Sequence, residues 1–312
     1  MSILRQIVLP LYRWATAAHR ARAVRRFDET QQWPAAILYY HRVANSIPNP
    51  WSIRCDRFSE QLDFIDSIAD FASLDELRQD QMSQSRDRLK VAITFDDGYG
   101  ENMEWAIPEL VARKIPCTYF VCTDFIENSL PFNHDVQRGF PLRPNTKSEI
   151  CSMASEGIQI GGHTRSHLDL GQNWPVQKLR SEISDSRKKL QDWTGQSIDY
   201  FAFPFGLTKN ISQAAIDIVV ESGFKAFLSA FNAWNFPKGD ELHLSRFHGD
   251  PCTETLRNWL TFDPRRLKPI YTLRYQKPTI SVAAKEKAPS PWTVIPPTIC
   301  DPCPTTSAHW VR

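Results

Sequence analysis

The chain lacks any long apolar run. Within the first 26 of its 312 residues, the longest uncharged stretch is far shorter than the roughly 20 residues that a membrane-spanning helix needs. Pro10 and Arg13 also interrupt any apolar core of the kind found in a signal peptide. The sequence therefore predicts neither a spanning helix nor an export signal, and we expect a cytoplasmic protein.

A strong net charge and a disulfide framework are also missing. The formal net charge is +2, which is too small to indicate a nucleic-acid partner. The cysteines are odd in number and scattered, a pattern that favours a reducing compartment: Cys55, Cys117, Cys122, Cys151, Cys252, Cys300 and Cys303. The pair Cys300 and Cys303 lies among prolines without a second such pair, so it does not indicate a metal or redox site.

Acidic residues are absent before Asp28, whereas the same segment contains six arginines and several apolar residues. Two interpretations of this basic segment, residues 1–34, stay open. It is either an amphipathic arm that lies on the inner face of an anionic membrane, as a peripheral contact, or a helix that docks on the domain following it.

A short β-branched and aromatic run from Val91 to Phe95 predicts a buried strand. It is followed directly by Asp96, Asp97 and Gly98. Two carboxylates at the end of a buried strand are costly unless a cation or another partner compensates them. At a strand-to-turn junction both side chains can reach one cleft, although neighbouring residues of a strand point to opposite faces.

Two histidines four residues apart form a second cluster. His163 and His167 follow Gly161 and Gly162, after the predicted strand Ile158–Ile160. Neutral imidazole is the commonest nitrogen ligand for metals in proteins, and this spacing allows both rings to face one ion. Alone, such a pair is as typical of surface histidines as of ligands.

Together, Thr-Phe-Asp-Asp-Gly and His-Thr-x-x-x-His resemble the motifs of the polysaccharide deacetylases, the NodB-homology or carbohydrate esterase family 4 enzymes, over about residues 35 to 262. The resemblance implies that Asp96 is the catalytic base. It implies that Asp97, His163 and His167 hold a divalent metal, zinc before cobalt or nickel. Gly161 and Gly162 would then allow close approach of the backbone to that metal.

Three further site residues follow from the same resemblance. The early segment Leu38-Tyr39-Tyr40-His41 is similar to that of a circularly permuted branch, which implies that His41 is the general acid. The segment ending in Phe203-Pro204-Phe205-Gly206 resembles the family's third motif, in which the backbone N–H after the proline, here that of Phe205, binds the oxyanion. Ala202 stands where many members have arginine, and Arg246 is our candidate for the missing partner of Asp96.

Strands alternate with helical segments along the chain, so parallel βαβ units are expected. With the resemblance, this predicts a distorted (β/α) barrel, typically seven-stranded, with its chemistry at the carboxyl ends of the strands. We assign residues 35–265 to the catalytic domain and residues 266–312 to a Pro-rich tail that is predicted to be disordered. His134 and Asp135 are interpreted as a solvated loop pair, and Trp234 and Phe236 either as core or as the wall of an acyl pocket.

The resulting hypothesis is metal-dependent removal of N-acetyl groups from a sugar of a polysaccharide, oligosaccharide or glycolipid. Two alternatives stay open. The site could act on another acyl bond, such as N-formyl or O-acetyl, or the chain could be a catalytically weak glycan-binding homologue. The intact Asp-Asp and His pairs argue against the second alternative, and Ala202 argues for it.

Overall fold

The computed structural model describes residues 3–83, 85–249, 252–269 and 271–278. The strands are β1 (Ala35–Tyr40), β2 (Arg42–Val43), β3 (Ser52–Ile53), β4 (Asp70–Phe71), β5 (Lys90–Phe95), β6 (Cys117–Val121), β7 (Gln159–Gly162), β8 (Tyr200–Ala202), β9 (Ala226–Ser229), β10 (His243–Ser245) and β11 (Phe247–His248). The α-helices are α1 (Ile3–Ala15), α2 (Ala17–Thr30), α3 (Cys55–Ile68), α4 (Leu74–Ser83), α5 (Ala106–Ala112), α6 (Thr123–Asn128), α7 (Asn133–Val136), α8 (Lys147–Ser155), α9 (Val176–Arg180), α10 (Ser186–Thr194), α11 (Gln213–Glu221) and α12 (Thr253–Leu260). Short 3₁₀ segments cover Gly100–Met103 and Thr208–Asn210, and a π-helical turn, Ser181–Asp185, joins α9 to α10.

The main sheet is parallel throughout and nearly closes into a barrel. Its strand order is β10-β9-β8-β7-β6-β5-β1-β11, with β4 beside β5. A single residue, Arg246, separates β10 from β11, so one chain segment pairs with β9 through its first half and with β1 through its second. The predicted (β/α) barrel is confirmed. Its path contains eight strands rather than seven because the closing segment is broken in two.

Alternate residues of the strands pack into two separate apolar clusters. Ala35, Ile37, Ala92, Phe120 and Leu228 belong to an inner cluster, which also includes residues of α4. The intervening residues pack with the surrounding helices in a larger outer cluster. Parallel strands buried on both faces read as continuous apolar runs, which is why the sequence signals these strands clearly.

The parallel arrangement brings the carboxyl ends of β1, β5, β7, β8 and β9 to one end of the barrel. The polar residues that follow these strands therefore meet there, as in other (β/α) barrels. The inward row of β5 continues from Ala92 through Thr94 to Asp96, because side chains two residues apart share one face of a strand.

The segments that flank the barrel contact it. The arm helix α1 packs against α12. Near the other end of the described chain, the Tyr275 hydroxyl donates to Asp240 at 2.6 Å, and the Gln276 N–H donates to Gln213 at 2.8 Å. Of the tail predicted to be disordered, residues 266–312, the part from residue 279 onward, with Cys300 and Cys303, lies outside the described residues. No helix in the described ranges combines the length and the apolar character needed to cross a bilayer.

Candidate active site

Asp96 and Asp97 lie at the carboxyl end of β5 and are 3% and 2% exposed. Asp97 has a φ of 74°, a left-handed conformation that is uncommon outside glycine. The Gly98 N–H donates to the Asp96 carbonyl at 3.0 Å, which closes a three-residue turn around Asp97. This turn is the local reason that two consecutive carboxylates face the same cleft.

His163 follows β7 and is 2% exposed. Its Nδ1 lies 2.7 Å from the carbonyl oxygen of Ala202 at the end of β8. Since a carbonyl only accepts, Nδ1 carries the proton and the Nε2 lone pair is free for a ligand bond. His167 lies one loop further on, with a φ of 58° that turns its ring back toward His163 at a centroid distance of 5.2 Å.

Asp97, His163 and His167 fit a metal ion. One ligand atom of each lies within 4.8 Å of the other two. Oδ1 of Asp97 lies 3.5 Å from Nε2 of His163 and 3.4 Å from Nε2 of His167, distances longer than an ordinary hydrogen bond. The same Oδ1 is buried and makes no hydrogen bond to any described residue. Three converging donors of carboxylate and imidazole type, one of them buried and unsatisfied, are a donor set suited to a divalent cation.

The charges at this cluster favour an ionised Asp97. Burial alone raises the pKa of a carboxyl group, but His167 and His163 outweigh it and hold the pKa of Asp97 well below its usual value. A carboxylate that stays ionised at this depth supplies the negative charge that a bound cation requires.

A buried glutamate that the sequence analysis missed holds the histidine loop. Glu182, 1% exposed, accepts the backbone N–H groups of Arg165 and Ser166 at 3.0 Å each. It also accepts from the Ser166 hydroxyl and from Lys178. Glu182 lies in the π-helical turn, a feature that recurs at functional sites. Its position within an apparently regular amphipathic helix gave no signal in the sequence.

Asp96 is held by Arg246. The two guanidinium nitrogens donate to the two carboxylate oxygens at 2.6 and 2.9 Å. Arg246, 1% exposed, also lies over the rings of Tyr39 and Phe120 at 4.7 and 5.5 Å. Burial raises the pKa of Asp96, but the Arg246 charge outweighs it and leaves the pKa below its usual value. The carboxylate is therefore ionised and fixed in one orientation.

Arg246 reaches Asp96 because it occupies the break between β10 and β11, next to β1 and β5. Ala202 contributes its carbonyl to His163 rather than a side chain to Asp96. Ala202 stands where many family members have an arginine, and here Arg246, between β10 and β11, is the arginine that pairs with Asp96.

His41 follows β1, and its backbone carbonyl accepts a hydrogen bond from Asn102 at 2.7 Å. Its ring lies 5.7 Å from Tyr39 and 6.2 Å from His248, and its Nδ1 is buried without a hydrogen-bond partner among the described residues. Burial lowers the pKa of His41 to about 4, although Asp97 and Asp96 partly oppose that shift. The structure thus places His41 on the cleft wall near both carboxylates.

Phe205 lies in a second three-residue turn, with a φ of 62° and a hydrogen bond from the Gly206 N–H to the Pro204 carbonyl at 2.7 Å. Within the described chain its own N–H has no backbone partner. The ring is 56% exposed and packs edge-on against His167 at 4.8 Å. Gly206 is required here, since a Cβ would lie 2.7 Å from the Ala230 nitrogen.

These residues line a cleft of about 660 Å³, a volume typical of small-molecule sites. Its outer wall includes Trp51, which stacks on His134 at 5.3 Å and lies under the guanidinium of Arg138 at 4.6 Å. An aromatic wall beside a polar floor is typical of sites that bind partly apolar, partly polar molecules.

The interpretation of His134 and Asp135 as a solvated loop pair was wrong. Asp135 is 1% exposed and accepts hydrogen bonds from the Tyr99 hydroxyl at 2.8 Å and from Asn49 at 3.1 Å. His134 Nε2 lies 2.7 Å from the same hydroxyl. The pair anchors α7 to the turn after β5. The sequence did not predict this role because the surrounding segment has the proline-rich composition of a loop.

The structure also bears on two other expectations. Gly161 is needed for packing, since a Cβ there would lie 2.4 Å from the Phe120 ring. Trp234 is 7% exposed and packs on Phe247 and Phe262, and Phe236 packs on Phe27, so both belong to the core rather than to an acyl pocket.

Residues 83–227 match the sequence profile of the polysaccharide deacetylase family. The polysaccharide deacetylase homologue YxkH of Bacillus subtilis (strain 168) is 33% identical over 116 residues, which are 37% of this chain and 37% of that protein. The matched region thus spans little more than a third of that relative.

Solved structures show the same fold. The Streptococcus pyogenes deacetylase PplD, in complex with acetate, superposes with a TM-score of 0.62 at 21% identity, covering 76% of this chain and 100% of that one. IcaB from Ammonifex degensii gives a TM-score of 0.60 at 20% identity, covering 73% and 97%. The de-N-acetylase of Aggregatibacter actinomycetemcomitans gives 0.60 at 19% identity, covering 72% and 99%. Residues 83–227 thus resemble the polysaccharide deacetylase family in sequence, and the chain shares its barrel fold with these three solved structures.

Proposed function

We propose that this chain is a metal-dependent hydrolase that removes N-acetyl groups from a sugar residue of a glycan or glycolipid. The observation that carries the proposal is that two carboxylates with different partners lie in one cleft. Asp97 faces two imidazoles with an unsatisfied buried oxygen, and Asp96 is paired with Arg246. Carboxylates in different environments are suited to different roles in one reaction.

Asp97, His163 and His167 would hold the cation, with zinc favoured and cobalt or nickel as alternatives. A divalent cation at such a site supplies polarisation of the acyl carbonyl and a lower pKa for water. The Nδ1–H of His163, fixed by the Ala202 carbonyl, keeps Nε2 available for that bond.

The remaining steps belong to the chain's own side chains. Asp96, kept ionised by Arg246, accepts a proton from the attacking water through a lone pair that the guanidinium does not occupy. The Phe205 N–H donates to the oxygen that gains charge, since preorganised donors favour that state. His41 donates a proton to the departing amine. With its pKa near 4 it is neutral at pH 7, so it must first acquire that proton during the cycle.

Three features support this proposal over a glycan-binding homologue without activity. The His pair and both carboxylates are present in one cleft, and Arg246 supplies the partner for Asp96 that the Ala202 substitution had put in doubt. We further propose a cytoplasmic site of action, which is supported by the free thiols of Cys55, Cys117, Cys122 and Cys151. Recovery of the protein from outside the cell would contradict that location.

Bound metal and acetate release together test the proposal. In Asp97→Ala and in His163→Ala, we expect loss of both stoichiometric metal and turnover, because a donor is removed. In Asp96→Asn, we expect retained metal with kcat reduced about 10²- to 10⁴-fold, the usual contribution of a general base. Asp192→Asn, at an exposed surface pair, is the matched control and should behave as the wild type.

Full activity in Asp96→Asn would refute the assignment of the base. A panel of N-acetyl, N-formyl and O-acetyl sugars separates the acyl bonds, and preference for N-acetyl is the expected result. Glycan binding without release of any acyl group, with each candidate metal present, would establish the binding homologue instead.

A further inference from the structure

The inner side of the N-terminal arm is fixed to the catalytic domain. The Tyr12 hydroxyl donates to Asp263 at 2.9 Å, and Arg13 donates to Glu254 at 2.9 Å. Further along the arm, Arg20 is 7% exposed and donates to the carbonyl of Asn258 at 2.9 Å. The arm therefore has a defined orientation on the domain, and its outer side faces away from it.

That outer side carries a stripe of large apolar side chains on α1. Ile7, Leu11 and Trp14 are 58%, 61% and 81% exposed, and Val8 beside them is 47% exposed. Residues 7, 11 and 14 are spaced by four and three, so they lie on one face of the helix. No other large apolar side chain in the described chain is as exposed as Trp14. A contiguous apolar face of this kind marks an interaction surface.

The adjoining helix α2 presents positive charge. Arg22, Arg25 and Arg26 are exposed, and none of them forms an ion pair with a described residue. Asp28 and Glu29 follow these arginines on the same helix, but in the described chain neither forms an ion pair with them. An uncompensated basic surface repels a second copy of itself and attracts an anionic partner.

A cavity of about 520 Å³ lies beside this charge. His19, Arg22 and Arg26 contribute its polar wall, and Phe27, Phe236 and Leu267 are among its apolar lining. Guanidinium groups bind phosphate oxygens in a bidentate manner, and an apolar floor accommodates the hydrocarbon next to them. Such a site matches the chemistry of an anionic phospholipid headgroup.

We propose that the outer face of α1 and α2 binds the surface of a membrane that contains anionic phospholipid. Ile7, Leu11 and Trp14 enter the boundary between headgroups and acyl chains, and Arg22, Arg25 and Arg26 contact phosphates. Helices that lie in the interface combine an apolar face with Arg or Lys on the polar side in this way. The fixed contacts of α1 with α12 then attach the whole catalytic domain to that surface.

Co-sedimentation of the full chain with vesicles tests this proposal. We expect the chain to pellet with phosphatidylcholine vesicles that contain roughly 30% phosphatidylglycerol, but not with phosphatidylcholine alone. The bound fraction should fall as salt rises, because added ions screen the arginine charges. Trp14 entering the interface should shift the tryptophan emission to shorter wavelength.

Paired variants separate the two contributions. Leu11→Ser with Trp14→Ser, and separately Arg22→Glu with Arg25→Glu, should each lower partitioning at least about tenfold. Phe140→Ser removes an exposed aromatic ring elsewhere, and Arg54→Glu with Arg57→Glu makes the same charge change at the start of α3, so both controls should bind like the wild type. Thermal unfolding and release of acetate from a water-soluble substrate verify that each variant is folded.

Three results would overturn the proposal. The first is a chain that stays in the supernatant with anionic vesicles, and the second is unchanged binding in both arm variants. The third is sedimentation equilibrium showing a dimer that the Leu11 and Trp14 changes dissociate in the absence of lipid, since the apolar face would then belong to a second copy. None of these results depends on whether the site is a deacetylase.

Discussion

Arg246 and Asp96 show how one side-chain pair sets the chemistry of the cleft. The guanidinium binds both carboxylate oxygens and is itself held between two aromatic rings, so neither group is free to reorient. A lysine ammonium is a point charge on a flexible stem, so it does not reproduce the planar two-bond geometry of this guanidinium.

We therefore expect Arg246→Lys to lower kcat about 10²-fold, the cost of a poorly positioned catalytic group, while bound metal stays stoichiometric. Metal content and steady-state acetate release measure the two effects. Arg257→Lys, which alters a half-buried pair with Glu60 away from the cleft, is the matched control. Wild-type kcat in Arg246→Lys would show that Asp96 needs charge compensation but not bidentate orientation.

At the scale of elements, the π-helical turn between α9 and α10 supports the histidine loop, which carries His163 and His167. Glu182 satisfies two backbone N–H groups just before His167, so the position of that imidazole depends on a residue fifteen positions later in the chain. Removing a residue that holds a metal ligand in place in this way typically changes metal affinity 10- to 100-fold.

Glu182→Ala should weaken metal binding by about that factor and should also lower the free energy of unfolding by roughly 1–3 kcal/mol, because buried donors lose their acceptor. Glu182→Gln keeps an acceptor oxygen and should fall between Ala and the wild type. Metal titration and thermal unfolding report the two losses separately. Glu221→Ala, at an exposed pair with Arg180, should change neither.

A purely structural role for Glu182 predicts a different result. The melting temperature would then fall in Glu182→Ala while the metal dissociation constant stayed at the wild-type value.

The segment before β3 and helix α7 together form the aromatic wall of the cleft. Trp51 stacks on His134, which the Tyr99 and Asp135 contacts hold in place. Under the proposed function, we expect Trp51 on this outer wall to contribute to substrate binding rather than to the chemical step.

Trp51→Ala should raise KM up to about tenfold with kcat unchanged, the size expected for one lost aromatic stacking contact. Initial rates over a range of glycan concentrations give both constants. Trp105→Ala removes a more exposed ring outside the cleft and is the control. A fall in kcat with constant KM would contradict this prediction and indicate that Trp51 acts in the chemical step rather than in substrate binding.

For the whole molecule, the closing segment couples stability to pH. His243 of β10 packs on Phe227 and Phe231 and lies 2.8 Å from the Ser229 hydroxyl. Burial lowers the pKa of His243 to about 4 from the ordinary 6.5, with Asp240 partly opposing the shift. Between these values the unfolded chain binds a proton that the folded chain does not.

The free energy of unfolding should therefore fall as pH decreases from about 6.5 to about 4, by at most about 3 kcal/mol from this residue. His243→Gln, which cannot titrate, should flatten that part of the curve relative to the wild type. Urea unfolding at pH 7, 5.5 and 4.5 measures it, and His19→Gln on the exposed side of α2 is the control. Parallel curves for wild type and His243→Gln would contradict the prediction.

The sequence by itself determined the βα alternation and the two clusters that end β5 and β7. Runs such as Val91–Phe95 and Cys117–Val121 are buried on both faces, so they are apolar throughout. They can therefore be predicted as strands from the sequence alone. The Asp-Asp and His-x-x-x-His pairs are also local, because each is short and follows a single strand.

Only the tertiary structure decided what supports those clusters. Arg246 reaches Asp96 across 150 positions because the closing strand breaks beside β1, and the Ala202 carbonyl fixes His163 through a backbone atom that residue type does not reveal. Asp135 was predicted from sequence to be solvated, but in the fold it is buried and accepts a hydrogen bond from the Tyr99 hydroxyl. Side-chain periodicity reports burial within one element, whereas charge partners come from distant elements that only the closed barrel brings together.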